Sequence, residues 1–371
     1  MASFSMADLT VVSNGGTKAK GPAEGAAFGL AFTDHMLVIE HAAGSGWGAP
    51  VIKPFQNLSL HPSAQVLHYG MSCFEGMKAY KGVDGAPRLF RPQMNMKRFH
   101  KSCQRLMLPA FDTEELLKCI EALVKLDKDW LPEGEGSALY IRPFAMNTSA
   151  FLNLRPPNHA TIVVTLSPSA QFFSTESKGE KLFLNETDVR AWPGGAGEHK
   201  LASNYGPTLK PHLEAGKEHG CIMVMFCLPQ GPSPEDALIS ECAGMNVFFL
   251  LEKEDGKKEL CTPPLDGTIL PGVTRESVLE LCRSWNEFEV SERNITVSEL
   301  TTAAQAGRLL EVFGAGTAVT ILPVVEIKRE KGPDCKCRCE CFADMQLTNR
   351  LRKTLFDIQL GHVEHEWSIK L

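Results

Sequence analysis

The sequence predicts an α/β fold arranged as two domains, and three observations support this prediction. A chain of 371 residues is longer than a single hydrophobic core ordinarily serves. Short apolar runs of strand length alternate with segments of helical periodicity. Residues 173–180 are polar and lack a hydrophobic period, so they are predicted to link a domain at 1–172 to a second domain at 181–371.

The first domain contains one clear helix and two clear strands. Asp112 and Glu115 have the spacing of a capping box, with aspartate in place of the usual serine or threonine, so a helix is predicted to begin there. Residues 138–141 and 160–166 are short apolar runs and are predicted strands. The buried face of the helix is predicted from an apolar stripe at helical spacing, Leu116, Leu117, Ile120, Leu123 and Val124.

The second domain is predicted to mix strands and helices. A second capping box, Thr296 to Glu299, begins a helix that runs to residue 306. The final helix covers about 343–360, and Gly361 ends it. The predicted strands are 181–184, 221–228, 246–251 and 309–313.

Two further helices of this domain begin at irregular positions. Pro211 follows Pro207 by four residues, and only one of them fits a first helical turn comfortably, so that helix is predicted to begin late or to kink. The turn at 270–275 is predicted to lead into a helix at 276–284. Backbone N–H groups at such a junction favour an anion.

Composition and charge exclude several classes of partner. Hydrophobic residues make up 43% of the chain and charged residues 22%, as in ordinary globular domains. The net charge of -6 gives no electrostatic reason to bind nucleic acid or an anionic membrane. The longest uncharged apolar run near the middle, 221–228, is much shorter than a membrane span. Neither nucleic acid nor a membrane is therefore expected as a partner.

The N-terminus and the cysteines indicate a reducing compartment. The first eight residues lack the charged and apolar regions of a signal peptide, and they lack the arginine of a mitochondrial transit peptide. Twelve cysteines are scattered along a long chain, which favours free thiols over a disulfide framework. We therefore expect a cytoplasmic location rather than a mitochondrial one.

Four cysteines form one run, Cys335, Cys337, Cys339 and Cys341. In an extended chain their thiols lie on one face about 6–7 Å apart, too far for disulfides between neighbours. The spacing differs from the Cys-x-x-Cys pairs of structural zinc sites, so no metal site is predicted. We expect a reduced, solvated loop, with a soft-metal or redox role as the alternative.

The most informative segment is 194–207, Gly-Gly-Ala-Gly-Glu-His-Lys-Leu-Ala-Ser-Asn-Tyr-Gly-Pro. It places one lysine, Lys200, between a glycine-rich approach and the predicted start of a helix. A lysine that is partly desolvated at such a junction can form an imine with a carbonyl group. Tyr205 lies about one helical turn further on. The alternative for a lone lysine is a solvated surface charge.

This segment resembles the pyridoxal-phosphate (PLP) lysine motif of branched-chain amino-acid aminotransferases, and the resemblance extends from Phe28 to Trp367. It implies a fold-type IV enzyme with a small open N-terminal α/β domain and a larger C-terminal pseudo-barrel domain. It also implies a homodimer that transfers the amino group of leucine, isoleucine or valine to 2-oxoglutarate. The expected partners are thus amino acids and 2-oxo acids.

The resemblance assigns a residue to each functional group of PLP. Lys200 binds the aldehyde and moves a proton, Glu241 keeps the ring nitrogen protonated, and Tyr205 donates to the phenolate oxygen. The arginine fork of Arg98 suits a phosphate, as do the glycine turns at 270–275 and 314–318. The implied phosphate contacts are Arg98, Val273, Thr274 and Thr317.

The substrate residues are also carried over from the family. An aromatic pocket favours a branched aliphatic side chain. Arg142 and a tyrosine at the pocket edge are implied to donate hydrogen bonds to the side-chain carboxylate of glutamate. A loop of the partner subunit is implied to close the pocket through Leu152 and Leu154. The other positions implied to bind substrate are Phe28, Tyr69, Phe74, Tyr140, Phe172, Gly244 and Ala318.

The chain departs from the family pattern at several positions. Gly244 replaces a common threonine and removes a hydroxyl near the substrate carboxylate, so backbone N–H groups at Gly244 and Ala318 are expected to bind it. Phe172 replaces a common tyrosine. Val319 and Leu322 occupy the positions of the Cys-x-x-Cys redox pair of the mammalian enzymes, so redox control of that type is not predicted.

Two alternative functions remain open. The nearest is another fold-type IV enzyme, such as a D-amino-acid aminotransferase or a 4-amino-4-deoxychorismate lyase; the segments 68–78 and 365–367 argue against it. The second is a non-catalytic, thiol-rich binding protein on the same scaffold. A protein without catalysis has no chemical need for the whole set Lys200, Glu241, Arg98 and Tyr205.

Overall fold

The computed structural model describes residues 3–12, 28–170 and 179–371. The chain divides into two compact units. Unit 1 comprises Met1–Phe172, His199–Ser203 and Phe356–Leu371, and unit 2 comprises Phe173–Glu198 and Asn204–Leu355. Both units are therefore discontinuous in sequence, whereas the domains predicted at 1–172 and 181–371 are continuous; those boundaries remain a prediction. Most of the predicted linker lies outside the described residues.

Unit 1 contains a mixed sheet of ten strands, numbered here along the whole chain. They are β1 (Thr10–Val11), β2 (His35–Ala42), β3 (Gly46–Trp47), β4 (Val51–Pro54), β5 (Ser72–Phe74), β6 (Met77–Lys81), β7 (Pro87–Phe90), β8 (Ala138–Asn147), β9 (His159–Ser169) and β19 (Ser368–Lys370). The strand order is β1-β4-β2-β9-β8-β6-β7-β19, with β3 on β2 and β5 on β8. The long antiparallel pair β8–β9 forms the centre of this sheet.

The α-helices described between β4 and β8 of unit 1 are α1 (Gln65–Tyr69), α2 (Pro92–Arg105) and α3 (Thr113–Leu126). The helix predicted after Asp112 is α3, and the Asp112 side chain accepts hydrogen bonds from the N–H groups of Glu114 and Glu115. The apolar stripe of α3 is buried, as predicted. Helix α2 packs beside α3 and β5, and its buried residues include the polar Asn95, Arg98 and Ser102.

Unit 2 contains a second mixed sheet, of nine strands. They are β10 (Glu180–Asn185), β11 (Met223–Leu228), β12 (Leu238–Cys242), β13 (Asn246–Glu252), β14 (Lys258–Thr262), β15 (Glu289–Glu292), β16 (Leu309–Gly316), β17 (Thr320–Arg329) and β18 (Cys335–Lys336). The order is β12-β11-β10-β17-β16-β13-β14-β15, with β18 on β17. The predicted strands of this half are confirmed as β10, β11, β13 and β16.

The remaining helices are α4 (Leu209–His219), α5 (Val273–Trp285), α6 (Val297–Gln305) and α7 (Gln346–Leu360). The late start predicted for α4 is confirmed, because Pro207 lies in a preceding 3-10 turn. Thr296 caps α6 by accepting from Glu299 N, and Gly361 follows α7 with a φ of 75°. The predicted start of α5 at residue 276 is wrong: the helix begins at Val273, because Gly272 is its N-cap and accepts from Glu276 N.

The loop prediction for the cysteine run is wrong for two of its four members. Cys335 lies in β18, which pairs with β17, and both Cys335 and Cys337 are buried in the core of unit 2. Burial raises the pKa of the Cys337 thiol, so this thiol stays protonated and unreactive. Cys339 and Cys341 are partly exposed and contact Asp344. All twelve cysteines are free.

Within the described residues, every helix is too short or too polar to cross a bilayer. The predicted α/β class is confirmed, because the strands of two mixed sheets alternate with helices along the chain.

Candidate active site

Lys200 lies in the short segment that returns to unit 1. Leu201 forms an isolated β-bridge with Cys73 of β5, and Phe74 N donates to Lys200 O at 3.1 Å. On the other side, Lys200 N donates to Ser102 Oγ of α2 at 2.9 Å. The backbone of the lysine is thus fixed on both sides, and its Nζ lies 4.8 Å from the centroid of the Phe74 ring.

Arg98 of α2 is buried against a carboxylate that the sequence analysis did not identify. Its Nε lies 2.7 Å from Oε1 of Glu75, and its Nη2 donates to Oε2 at 2.9 Å. Asn95, one helical turn before Arg98, donates to the same Oε2 at 2.6 Å. Glu75 is completely buried and its two oxygens fix the plane of the guanidinium. In the sequence, the only sign of this role was that Glu75 is a lone acidic residue between Phe74 and Gly76.

Four of the predicted substrate residues form one cluster in unit 1. The rings of Phe28 and Tyr140 meet edge to face, with centroids 4.8 Å apart. The guanidinium of Arg142 lies over the rings of Phe74 and Tyr140, at 4.6 and 5.1 Å from their centroids. Arg142 Nη2 also donates to the hydroxyl of Tyr140 at 3.0 Å. A Cβ at Gly76 would lie 2.1 Å from that hydroxyl, so this close approach requires glycine.

A buried donor of this cluster has no acceptor among the described residues. It is Nε of Arg142, which is enclosed by protein and makes no hydrogen bond to any of them. Buried N–H groups are nearly always paired in folded proteins. Arg142 is thus a partly buried cation whose hydrogen-bonding capacity the described residues do not fully satisfy.

Tyr69 contacts one of the two predicted loop leucines in unit 1. The Tyr69 hydroxyl donates to the carbonyl oxygen of Leu152. The side chains of Leu152 and Leu154 are 61% and 68% exposed. Phe172, the remaining aromatic substrate residue, lies outside the described residues.

Glu241 is the central residue of the candidate site in unit 2. It lies in β12 and is 3% exposed. Its Oε1 accepts from Leu270 N at 2.9 Å, and its Oε2 accepts from the side-chain amide of Asn246 at 2.8 Å. The same amide donates to Leu270 O at 3.0 Å, so β12, β13 and the segment before α5 are joined at one point.

Arg190 is the second residue that the sequence analysis missed. Its side chain is 3% exposed and its Nη1 lies 2.9 Å from Oε1 of Glu241. A guanidinium at this distance, together with N–H donors from Leu270 and Asn246, favours the anionic form of a buried carboxylate. The local signal was weak, because Arg190 stands alone in an apolar turn before Trp192 and nothing in that turn identifies a distant partner.

The predicted phosphate turns lie at two element ends of unit 2. Val273 and Thr274 form the first turn of α5, where backbone N–H groups lack intrahelical acceptors and favour an anion. Thr317 and Ala318 lie in the turn between β16 and β17. A Cβ at Gly316 would lie 3.2 Å from the carbonyl oxygen of Gly244, so the backbone of that turn runs close to Gly244.

Tyr205 lies between two 3-10 turns at the start of unit 2's second segment. Its carbonyl oxygen accepts from both N and Oγ1 of Thr208, and its side chain is partly exposed. Unit 1 thus brings Lys200, the Arg98–Glu75 pair and the Phe28–Tyr140–Arg142 cluster into one structural unit. Unit 2 joins Glu241 to the segment that leads into α5.

Comparison with known proteins identifies the family. The family description "Amino-transferase class IV" matches residues 72–327, well over half of the chain. The chain belongs to the class IV aminotransferases. The matched range includes Lys200, Glu241 and both predicted phosphate turns, and the predicted fold agrees with this family.

Curated relatives of this class IV aminotransferase match it over nearly its full length. A branched-chain-amino-acid aminotransferase of Monosiga brevicollis is 46% identical over 341 residues, covering 92% of this chain and 86% of the relative. The cytosolic enzyme of Mus musculus is 43% identical and covers 99% and 94%. The mitochondrial enzyme of Rattus norvegicus is also 43% identical and covers 100% and 93%.

Solved structures support the fold. A branched-chain amino acid aminotransferase from Escherichia coli superimposes with a TM-score of 0.70 at 22% identity, covering 91% of this chain and 99% of that one. The T.th. branched-chain amino acid aminotransferase, solved with pyridoxamine 5'-phosphate, gives 0.70 at 24% identity, covering 90% and 98%.

Proposed function

We propose that this class IV aminotransferase is a PLP-dependent branched-chain amino-acid transaminase, which transfers the amino group of leucine, isoleucine or valine to 2-oxoglutarate. The observation that carries the proposal is the cluster of Phe28, Tyr140, Phe74 and Arg142 in the unit that holds Lys200. Its aromatic rings suit an aliphatic side chain, and the guanidinium of Arg142 suits a carboxylate. The names and the 42–46% identity of the relatives support the same substrates.

The residues present fit PLP. When bound, PLP supplies an aldehyde that takes up an amino group and a pyridine ring that withdraws electrons. The chain offers a chemically matched group for each part of it: an amine at Lys200, a buried carboxylate at Glu241, a phenol at Tyr205, and an arginine with a helix N-terminus for the phosphate. The T.th. enzyme was solved with pyridoxamine 5'-phosphate, the amine form of this cofactor.

Each of these residues has a definite task in the proposed reaction. Lys200 binds the cofactor and then carries a proton to and from the substrate α-carbon. Glu241 holds a proton at the ring nitrogen, and Tyr205 donates to the phenolate oxygen. Arg98, Val273, Thr274 and Thr317 bind the phosphate. The backbone N–H groups of Gly244 and Ala318 bind the α-carboxylate of the substrate, in place of the hydroxyl that Gly244 lacks.

Two kinds of substrate must bind the same pocket in turn. A matched aliphatic group in an apolar pocket gains about 1–3 kcal/mol, enough to prefer leucine over alanine. The γ-carboxylate of glutamate instead needs a donor, and we assign this role to the guanidinium of Arg142. Because the guanidinium is stacked on Phe74 and Tyr140, it presents both a flat apolar surface and a charged edge.

Assembly and location belong to the same proposal. We infer a homodimer in which Leu152 and Leu154 of each subunit close the pocket of the other; their exposure in the single chain supports this. A cytoplasmic location remains our proposal, since the relatives include cytosolic and mitochondrial enzymes.

The test follows the visible absorption of the PLP-loaded protein during a single half-reaction. We expect L-leucine, L-isoleucine, L-valine and L-glutamate to change the spectrum, and L-alanine to do so at least about 10-fold less efficiently. Lys200→Ala is the control and is expected to lose more than about 99% of the rate, because the proton carrier is gone.

Two results would contradict the proposal. A response to D-alanine without one to L-leucine would favour a D-amino-acid aminotransferase. Unchanged spectra with all four L-amino acids, in a protein shown to hold PLP, would exclude transamination of these substrates.

A further inference from the structure

Arg190 does more than neutralise Glu241. Its Nη1 donates to the carbonyl oxygens of Gly197, at 3.3 Å, and Thr268, at 3.2 Å, while the same nitrogen lies 2.9 Å from Oε1 of Glu241. Gly197 lies three residues before Lys200, and Thr268 precedes the turn into α5. One buried nitrogen therefore contacts three segments, each of which carries or leads to a proposed cofactor residue.

Other contacts show how closely these segments pack. A Cβ at Gly197 would lie 2.4 Å from the carbonyl oxygen of Thr268, so only glycine allows this approach. Glu198 N donates to Gly267 O at 3.1 Å. Asn204 Nδ2 donates to Ala196 O at 2.8 Å. The segments 196–198 and 266–270 are thus held against each other, and Arg190 is the cation at that contact.

We propose that Arg190 is a positioning residue that makes the placement of Glu241 and the order of segments 196–198 and 266–270 depend on one another. The inference rests on the proposed function, because Glu241 matters for catalysis only if it holds the proton on the cofactor ring. The charge of Arg190 fixes the carboxylate, and the N–H groups of its Nη1 fix the two backbones. Weakening either contact loosens the other.

The chain supplies a matched control in Arg329. This arginine belongs to the same unit, its side chain is fully buried, and it pairs with Glu186 and Glu235 as Arg190 pairs with Glu241. Replacing it breaks a buried ion pair of the same kind without touching Gly197, Thr268 or Glu241.

The first experiment needs no cofactor. Hydrogen exchange of the apo protein is compared for wild type, Arg190→Met and Arg329→Met. We expect about 10- to 100-fold faster exchange in 196–198 and 266–270 for Arg190→Met alone, the range for losing a hydrogen bond with a charged group. Equal exchange in these segments for both variants would overturn the proposal.

The second experiment measures coupling to Glu241. PLP affinity is titrated by fluorescence for Arg190→Met, Glu241→Gln and the double variant. We expect Arg190→Met to weaken binding about 10-fold or more in wild type and much less when Glu241 is already replaced. Equal weakening in both backgrounds would show that Arg190 acts independently of Glu241 and would overturn the proposal.

Arg190→Lys covers the case in which the methionine variant does not fold. Lysine keeps the charge and has three N–H donors but lacks the planar fork. Segments 196–198 and 266–270 of this variant are therefore expected to exchange faster than in wild type but more slowly than in Arg190→Met. Arg329→Lys is expected to change exchange in these segments less than Arg190→Lys does. If the protein did not catalyse transamination, the exchange results would still show whether Arg190 orders segments 196–198 and 266–270. A failure of the proposed function can therefore be distinguished from a failure of the proposal for Arg190.

Discussion

In each unit of the molecule, one proposed cofactor residue belongs to a buried arginine–glutamate pair, and the two pairs are built in opposite ways. In unit 1 the arginine, Arg98, is the proposed ligand-binding member, and Glu75 holds it through both oxygens. In unit 2 the glutamate, Glu241, is the proposed binding member, and Nη1 of Arg190 lies 2.9 Å from its Oε1.

The difference agrees with what each group is proposed to recognise. A phosphate is bound best by a guanidinium whose plane is fixed, and a two-point contact with Glu75 fixes that plane. A ring nitrogen needs one carboxylate oxygen in a defined place and in the ionised form. For this proposed role, Glu241 is held by the charge of Arg190, the backbone N–H of Leu270 and the side-chain amide of Asn246. Burying an ion pair is costly, so both pairs indicate function more than stability.

Glu241→Gln is expected to have the largest effect, because it removes the charge of the binding member and leaves Arg190 buried without its anion. Turnover with leucine should fall about 10²- to 10⁴-fold. The free energy of unfolding should fall by about 3–5 kcal/mol. Stopped-flow absorption gives the first quantity and urea denaturation the second.

A buried carboxylate outside the proposed site is the control for this substitution. Glu186 pairs with Arg329 in the same unit, and its side chain is 5% exposed. Glu186→Gln should lower stability but leave turnover within about 3-fold of wild type, since it touches no proposed cofactor residue. An equal loss of turnover in both variants would show that Glu241 acts only through stability.

Arg98→Lys is expected to have a smaller effect that excess cofactor corrects. Lysine lacks the planar fork, so the contact with Glu75 and the phosphate contact both weaken. The dissociation constant for PLP should rise about 10- to 100-fold, as measured by titration of the apo protein. Turnover at saturating PLP should return close to the wild-type value, in contrast to Glu241→Gln.

The control for Arg98→Lys is Arg88→Lys, since Arg88 belongs to the same unit and pairs with Asp84. This variant should bind PLP as wild type does. If saturating PLP failed to restore turnover in Arg98→Lys, the assignment of Arg98 to the phosphate alone would be wrong.

The two pairs also show how far the sequence predicts such a site. Local patterns located Lys200 in its glycine-rich segment and the helix cap at Asp112, because the relevant residues lie a few positions apart. Glu75 and Arg190 were missed because each acts through a partner distant in sequence, and no local spacing records that contact. Cys335 and Cys337 were predicted to be solvated for the same reason: only the strand pairing of β18 with β17 turns this segment inward.

Lys78 shows the cost of burying a cation in unit 1 and provides the smallest predicted effect. Burial lowers the pKa of Lys78 to about 8, below the value near 10.4 of an unfolded chain. The unfolded chain therefore binds the extra proton between these values, and this lysine destabilises the fold fully below pH 8 and less as the pH rises. Relative to Lys78→Met, the free energy of unfolding of wild type should rise by on the order of 1 to 2 kcal/mol from pH 8 to 9.5 in urea denaturation. The control is Lys81→Met, because Lys81 lies in the same strand as Lys78 and forms an exposed ion pair with Glu133. A constant difference between Lys78→Met and wild type across this range would contradict the burial argument.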